Sequence, residues 1–353
     1  MKFFRLIFLP IFLGFVSVFS TAAEPPQYRG AMISPGNFHA ADLEVFGGRW
    51  NGNLVRWQLN WGFPHGKADT ATAEEYFAWL ENECRRLDAM LPLLKEYGVK
   101  VCLDVHTAPG GFTERTTVRA LEEEEFTDAF IETWVRLATR YKENPVIWGY
   151  DLLNEPVERT PEEGEYYISW RDLATRAARR IREIDPTTPI VFEPANWASL
   201  RGFEGLEPLD LPNIIYSPHM YVPHAFTHQG VFANTVPVTY PGEIDGAYWG
   251  KEELRKSLAP VLEFQKKYDV PIFIGEFSAI RWAPGNGAYN YLKDVIEIFE
   301  EYGWDWTYHA FREWSGWSVE YTDDRKNNEP APEPTNRELL LRSFFERNSR
   351  KVD

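Results

Sequence analysis

Basic charge is scarce in this sequence. Its 353 residues hold 37 Lys and Arg against 53 Asp and Glu, a formal net charge of −16. A chain so acidic repels phosphate backbones, and no basic stripe runs along it, so nucleic acid is not expected as a partner. Cysteine is scarcer still, with only Cys84 and Cys102. Cys102 shares strand parity with Asp104 and His106 and should point inward, while Cys84 falls on a helical stretch that packs outside. Two free buried thiols are therefore expected instead of a disulfide. No Gly-rich turn follows the first apolar strand, which argues against an open, doubly wound sheet. There is also no internal repeat and no Ser/Thr/Pro-rich linker. The one polar, Pro-rich segment, Thr322 to Thr335, lies between the last strand and the last helix and reads as a surface loop.

Long apolar runs are confined to the start. Lys2 and Arg5 precede a run from Leu6 to Phe19 broken only by Pro10, Gly14 and Ser17, and Ser20-Thr21-Ala22-Ala23 follows. The run is short for a spanning helix, and the small residues suit a signal peptidase. Residues 1–23 are thus expected to be a secretory signal cut near Ala22 or Ala23. The mature chain, 24–353, would be secreted or periplasmic, with no membrane association once the signal is gone. Residues 1–23 carry only Lys2 and Arg5 as charges, so the mature net charge is −16 − 2 = −18. The remaining 353 − 23 = 330 residues suffice for one large domain with a well-buried core.

What the chain does contain is an alternation of short apolar strands and longer helical stretches, the pattern of parallel β/α units. Eight strands are expected, at Tyr28 to Ile33, Leu54 to Leu59, Val99 to Val105, Val146 to Leu153, Pro189 to Glu193, Ile214 to Met220, Pro271 to Glu276 and Trp304 to Phe311. Helical patterns run from Ala73 to Tyr97, Glu122 to Tyr141, Gly164 to Ile184, Lys251 to Tyr268, Ala288 to Tyr302 and Asn336 to Arg347. Several end in a breaker just before the next strand, as in Tyr97-Gly98-Val99 and Tyr302-Gly303-Trp304. Eight such units predict an α/β fold made of a single (β/α)8 TIM barrel, with its chemistry at the C-terminal ends of the strands.

Polar residues collect at those ends beyond what packing demands. They are Arg56 on the second strand, Asp104 and His106 on the third, Asn154 and Glu155 on the fourth, His219 and Tyr221 on the sixth, Glu276 on the seventh and Trp314 just after the eighth. Singly, an arginine or aspartate inside a barrel is often a structural ion pair, and a strand-end histidine is often scaffold. Together at one rim they point to a site. Two glutamates ending two apolar strands suggest an acid and a nucleophile for cleaving a glycosidic bond, one neutral to protonate the leaving oxygen and one ionised to attack the anomeric carbon. Fourteen Trp and seventeen Tyr fit sugar binding, because pyranose C–H faces stack on indole, although core filling must account for at least half of them.

Asn154-Glu155-Pro156, Glu276, Asp104-Val105-His106 with Pro109-Gly110-Gly111, and His219-Met220-Tyr221, in this order on these strands, resemble glycoside hydrolase family 5, the cellulase A group of retaining clan A enzymes. The likeness covers essentially the whole mature chain. It implies Glu155 as general acid/base and Glu276 as nucleophile, with retention through a covalent glycosyl-enzyme. It also places Arg56 and Tyr221 near the nucleophile, and His106 and His219 match subsite histidines that bind hydroxyls and orient the two acids. Asn154 can hold the sugar 2-hydroxyl. Trp314 is the candidate floor of the cleaved-sugar subsite, with Phe311 as the alternative alignment.

Phe226-Thr227-His228-Gln229-Gly230 looks like a loop of the family's endo-β-1,4-glucanases, which brings His228 into the substrate-binding set and favours cellulose or mixed-linkage glucan. Trp61, Trp197, Trp249, Trp282 and Trp317 fall in or near strand-to-helix loops and are candidate platforms. Neither His106 nor His219 has a second histidine at ligand spacing, and His224 with His228 suits sugar or solvent better than zinc, so no metal and no other cofactor is expected. The expectation is a monomeric, retaining endo-β-1,4-glucanase acting on a β-glucan polysaccharide or oligosaccharide. The rivals are β-mannanase, mixed-linkage or β-1,3-glucanase, xyloglucanase, and a non-catalytic sugar-binding barrel.

Overall fold

The β/α alternation closes into a barrel in the computed structural model, which describes residues 26–231 and 237–349. The expected signal segment, 1–23, lies outside the described residues. The strands are β1 (Arg29–Ile33), β2 (Leu54–Gln58), β3 (Lys100–Asp104), β4 (Ile147–Asp151), β5 (Ile190–Phe192), β6 (Ile214–Tyr216), β7 (His219–Met220), β8 (Gly242–Ile244), β9 (Ala247–Trp249), β10 (Phe273–Ile274), β11 (Glu276–Phe277) and β12 (Asp305–Tyr308). Between them lie α1 (Ala40–Leu43), α2 (Ala73–Glu96), α3 (Glu124–Tyr141), α4 (Trp170–Ile184), α5 (His224–Thr227), α6 (Lys251–Ser257), α7 (Ala259–Tyr268), α8 (Gly287–Tyr302) and α9 (Asn336–Phe345).

Eight strands pair in the order β10-β12-β1-β2-β3-β4-β5-β6. The remaining gap, between β6 and β10, is crossed by a parallel bridge from Tyr216 to Ile272 and, higher up, by β7 against β11 with Glu276 opposite His219. Each of the sixth and seventh expected strands is therefore two pieces, broken at Ser217-Pro218 and at Gly275. The break at Gly275 shifts the side-chain parity. Phe273 points into the barrel, Ile274 packs outside, and Glu276 then points in again with Phe277 outside.

Side chains fill the barrel in layers. Leu54, Cys102, Trp148, Val191, Ile215 and Phe273 form an apolar floor. Two residues further along their strands come Arg56, Asp104 and Glu193, and two beyond those, Gln58 and His106. The outer core lies between strands and helices and takes in Trp57, Trp134, Trp170, Trp304 and Trp306, all fully buried, so core filling does absorb many of the aromatics. Cys102 sits in the floor and Cys84 on α2, and both are free and buried, as their parity predicts.

Helix signals in the sequence act where expected. Thr72 caps α2 by accepting from the Glu75 amide at 3.2 Å, while Glu75 accepts from the Thr72 amide at 2.9 Å. Ser169 caps α4, which starts at Trp170 instead of the expected Gly164, by accepting from the Asp172 amide. The expected helix from Lys251 to Tyr268 is divided at Leu258, two residues before Pro260, and an antiparallel hairpin, β8 with β9, is inserted ahead of it. No helix among the described residues is long and apolar enough to cross a membrane.

Candidate active site

Arg56 is the hub. It is fully buried, and its guanidinium meets four carboxylates: Asp104 at 3.2 Å, Asp151 at 2.8 Å, Glu193 at 2.9 Å and Glu276 at 2.7 Å. It also donates to Asn154 Oδ1 at 3.1 and 3.2 Å. That bond fixes the amide, so Nδ2 is the donor left over for a ligand; it is buried and has no partner among the described residues.

Glu155 and Glu276 face each other across His219, with a carboxylate oxygen of each and a His219 nitrogen all within 4.8 Å of one another. His219 lies 2.8 Å from Glu155 through Nδ1 and 3.0 Å from Glu193 through Nε2. The same three groups could in principle hold a cation. However, Arg56 already occupies Glu276, and both ring nitrogens of His219 face carboxylates, which suits an imidazolium better than a metal ligand.

Glu193 ties this arrangement to the backbone. Its Oε2 accepts from the Glu155 amide at 2.7 Å while its Oε1 accepts from Arg56 and His219. Glu155 has a φ of 43°, a left-handed conformation that costs a non-glycine residue energy and persists only when its surroundings hold it. The Glu193 carboxylate supplies that hold.

The environment drives the proton affinities of the two glutamates apart. Burial raises the pKa of Glu155, and repulsion from Glu276 and Glu193 adds to this, outweighing the hydrogen bond from His219. Burial would raise Glu276 too, but His219, His309 and Arg56 hold it well below the usual carboxylate range. His219 itself is raised well above an ordinary imidazole, because Glu193 and Glu276 outweigh the effect of burial. Burial, with Glu193 and Asp104 nearby, raises Asp151 despite its bond to Arg56. A carboxyl of raised proton affinity beside one held low is the division that separates acid from nucleophile.

The other expected residues fall around this pair. Tyr221 donates to Glu276 Oε2 at 2.9 Å. His106 is held by Asp104 at 2.7 Å through Nδ1, leaving Nε2 as an acceptor when Nδ1 carries the proton. His228 stacks on His224 at 4.0 Å and approaches Tyr221 at 5.0 Å between ring centres. Burial, together with His224 and His309, lowers its pKa to about 3, so it is neutral.

Aromatic rings stand on both sides. Trp197, 39% exposed, stacks with Phe112, and both rings meet Phe63, which packs against His106. On the other side Trp314, 41% exposed, meets Trp282 and Trp317 edge-on, and Trp317 reaches Tyr221, His228 and His309. Trp61 instead stacks flat on Trp79 of α2, and Trp249 lies in the hairpin strand β9.

Phe311 is buried among Phe38, Phe46 and Trp50, so of the two alignments only Trp314 presents a ring to solvent. The position directly after β12 belongs to His309, whose Nδ1 is 3.2 Å from Glu276 Oε2.

The family model described as "Cellulase (glycosyl hydrolase family 5)" matches residues 26–316. The chain belongs to glycosyl hydrolase family 5. It is a glycoside hydrolase of the cellulase kind, and its barrel is the family's (β/α)8 fold. Endoglucanase C of Acetivibrio thermocellus is 29% identical over 280 residues, covering 71% of this chain and 79% of that one. Cellodextrinase A of Ruminococcus flavefaciens is 22% identical over 260 residues, covering 71% and 75%. Among solved structures, the endoglucanase Cel5A of Thermotoga maritima superimposes with a TM-score of 0.66 at 25% identity, covering 89% of this chain and 96% of that one.

For this family 5 chain, sequence reasoning missed Asp151, Glu193, His309 and Glu313. Glu193 carried the same signal as Glu155 and Glu276, a glutamate ending an apolar strand. Asp151 opens the very stretch that holds Glu155. His309 stands at the end of the eighth strand, where the family resemblance implies an indole.

Proposed function

We propose that the chain is an exported endo-β-1,4-glucanase that hydrolyses β-glucan with retention, using Glu155 as acid/base and Glu276 as nucleophile. The observation that carries this reading is the close approach of two carboxyls with opposed proton affinities. A carboxylate oxygen of each lies within 4.8 Å, which fits the short separation of retaining enzymes, roughly 5–5.5 Å between carboxyl groups, and leaves no room for the water that inversion places between them. Glu276 attacks the anomeric carbon while Glu155 gives its proton to the leaving oxygen; Glu155 then takes a proton from the water that releases the glycosyl-enzyme. Asn154 Nδ2 donates to the 2-hydroxyl in the transition state. The exposed rings of Trp197 on one side and Trp314 on the other, backed by Phe112 and Trp317, suit a chain of pyranose units threaded past the glutamates.

Relatives named endoglucanase and cellodextrinase support a β-glucan as substrate. The test is a product profile and viscosity course on carboxymethyl cellulose, barley β-glucan and glucomannan, with Glu276→Gln as the blank. Rapid viscosity loss on the first two, absent in the variant, is expected. A preference for mannan would overturn the glucanase assignment. Silence on all three from folded protein would favour a sugar-binding barrel.

A further inference from the structure

His309 and Glu313 stand where an aromatic floor was expected. His309 follows the last residue of β12, and its Nδ1 faces both Glu276 Oε2 at 3.2 Å and the Tyr221 hydroxyl at 2.5 Å. Tyr221 donates to Glu276, so its oxygen is free to accept from His309. The other ring nitrogen, Nε2, lies 3.5 Å from Glu313 Oε1. Glu313 Oε2 in turn accepts from Gln58 of β2 at 2.6 Å, so the carboxylate spans from the end of the eighth barrel strand to the second.

Neither group is core. The side chains of His309 and Glu313 are 15% and 24% exposed, at the rim that holds Glu155 and Glu276. Each Glu313 oxygen meets one protein donor and keeps a lone pair, and sugar hydroxyls are donors. The groups facing His309 are Glu276 from β11, Tyr221 and, further off, His228 from the segment after β7, and Glu313 from its own segment. Burial works against its charge, but Glu276 and Glu313 push its pKa up to about 10. Glu313 is lowered despite burial by His309 and by His106 across the mouth.

We propose that His309 and Glu313 are the polar floor of the cleaved-sugar subsite, His309 holding the nucleophile and Glu313 accepting a hydroxyl of the glycone. Directional hydrogen bonds then replace ring stacking under that sugar. The proposal rests on the hydrolytic reading above.

The test measures kcat/KM on 2,4-dinitrophenyl β-cellobioside and on analogues lacking single hydroxyls of the sugar joined to the leaving group. It compares the wild type with Glu313→Gln, His309→Asn and Glu276→Gln. One missing hydroxyl should cost the wild type about tenfold or more, and that loss should shrink to within about twofold in Glu313→Gln, the signature of a direct coupling. His309→Asn, which removes a cation from Glu276, should move the acid limb of the kcat/KM profile to higher pH. Equal deoxy losses in the wild type and Glu313→Gln, or an unmoved acid limb in His309→Asn, would overturn the proposal while leaving the hydrolytic reading intact, provided the wild type turns over and Glu276→Gln does not. A folded wild type that releases no dinitrophenol from the parent glycoside would overturn both.

Discussion

Glu193 shows how one carboxylate positions others without touching the reacting atoms. It is fully buried, yet it bonds the Glu155 amide, Arg56 and His219 at once. Glutamine keeps its size but puts an amide nitrogen where an acceptor is needed, so one donor loses its partner and the left-handed turn at Glu155 loosens. A small misplacement of a reacting group costs on the order of a hundredfold. Glu193→Gln should therefore lower kcat on an aryl cellobioside about a hundredfold with little change in KM, and a wild-type kcat would refute the positioning role. At this scale the sequence was legible where the residue type carries the chemistry. Arg56, His106, Asn154, Glu155, His219, Tyr221 and Glu276 all lie within one connected set of contacts. His309 and Glu313 were not legible, because their importance comes from what they face, and an imidazole and a carboxylate after an apolar strand carry no distinctive spacing.

Among the elements, the seventh barrel strand matters most to the site, since its break at Gly275 turns Glu276 inward. A methyl on Gly275 would lie 2.6 Å from Ser217 Oγ and 3.0 Å from His219 Nε2. Overpacking of that kind costs about 1–3 kcal/mol, and the groups that must give are the Ser217 hydroxyl and the imidazole between Glu155 and Glu193. Gly275→Ala should thus lower the urea midpoint modestly and kcat by about a hundredfold, because His219 is displaced. Unchanged kcat would show that the imidazole can yield without effect. The strands could be found from their apolar runs, since a parallel sheet covered on both faces demands them. The parity slip at Gly275 and the hairpin β8–β9 could not. A single glycine does not announce a bulge, and three-residue strands are too short to show alternation.

Across the whole molecule, the first strand is locked to the last elements by a staple at the end of the barrel opposite the site. Arg29 bonds both oxygens of Glu300 on α8, at 2.7 and 2.8 Å, and Asn348 near the C-terminus at 3.2 Å. Trp306 of β12 donates to the same glutamate at 3.0 Å. Burial would raise the Glu300 pKa, but Arg29 and Trp306 hold it down. Because the folded pKa is depressed, the stabilisation is present at neutral pH and is lost as pH falls from the ordinary carboxylate value through the folded one. Arg29→Ala leaves that carboxylate largely buried and should cost about 3 kcal/mol in urea unfolding at pH 7, with a smaller difference in acid and wild-type kcat throughout. An unchanged midpoint would mean the barrel closes without the staple.

Glu276 as the attacking group is the assignment on which the proposed hydrolysis depends. Incubation with 2,4-dinitrophenyl 2-deoxy-2-fluoro-β-cellobioside, followed by peptide mass spectrometry, tests this most directly. One fluorocellobiosyl adduct is expected, located on Glu276, with activity lost in step. An adduct on another residue, or an unmodified Glu276 peptide under conditions that label a known retaining glucanase, would contradict that assignment.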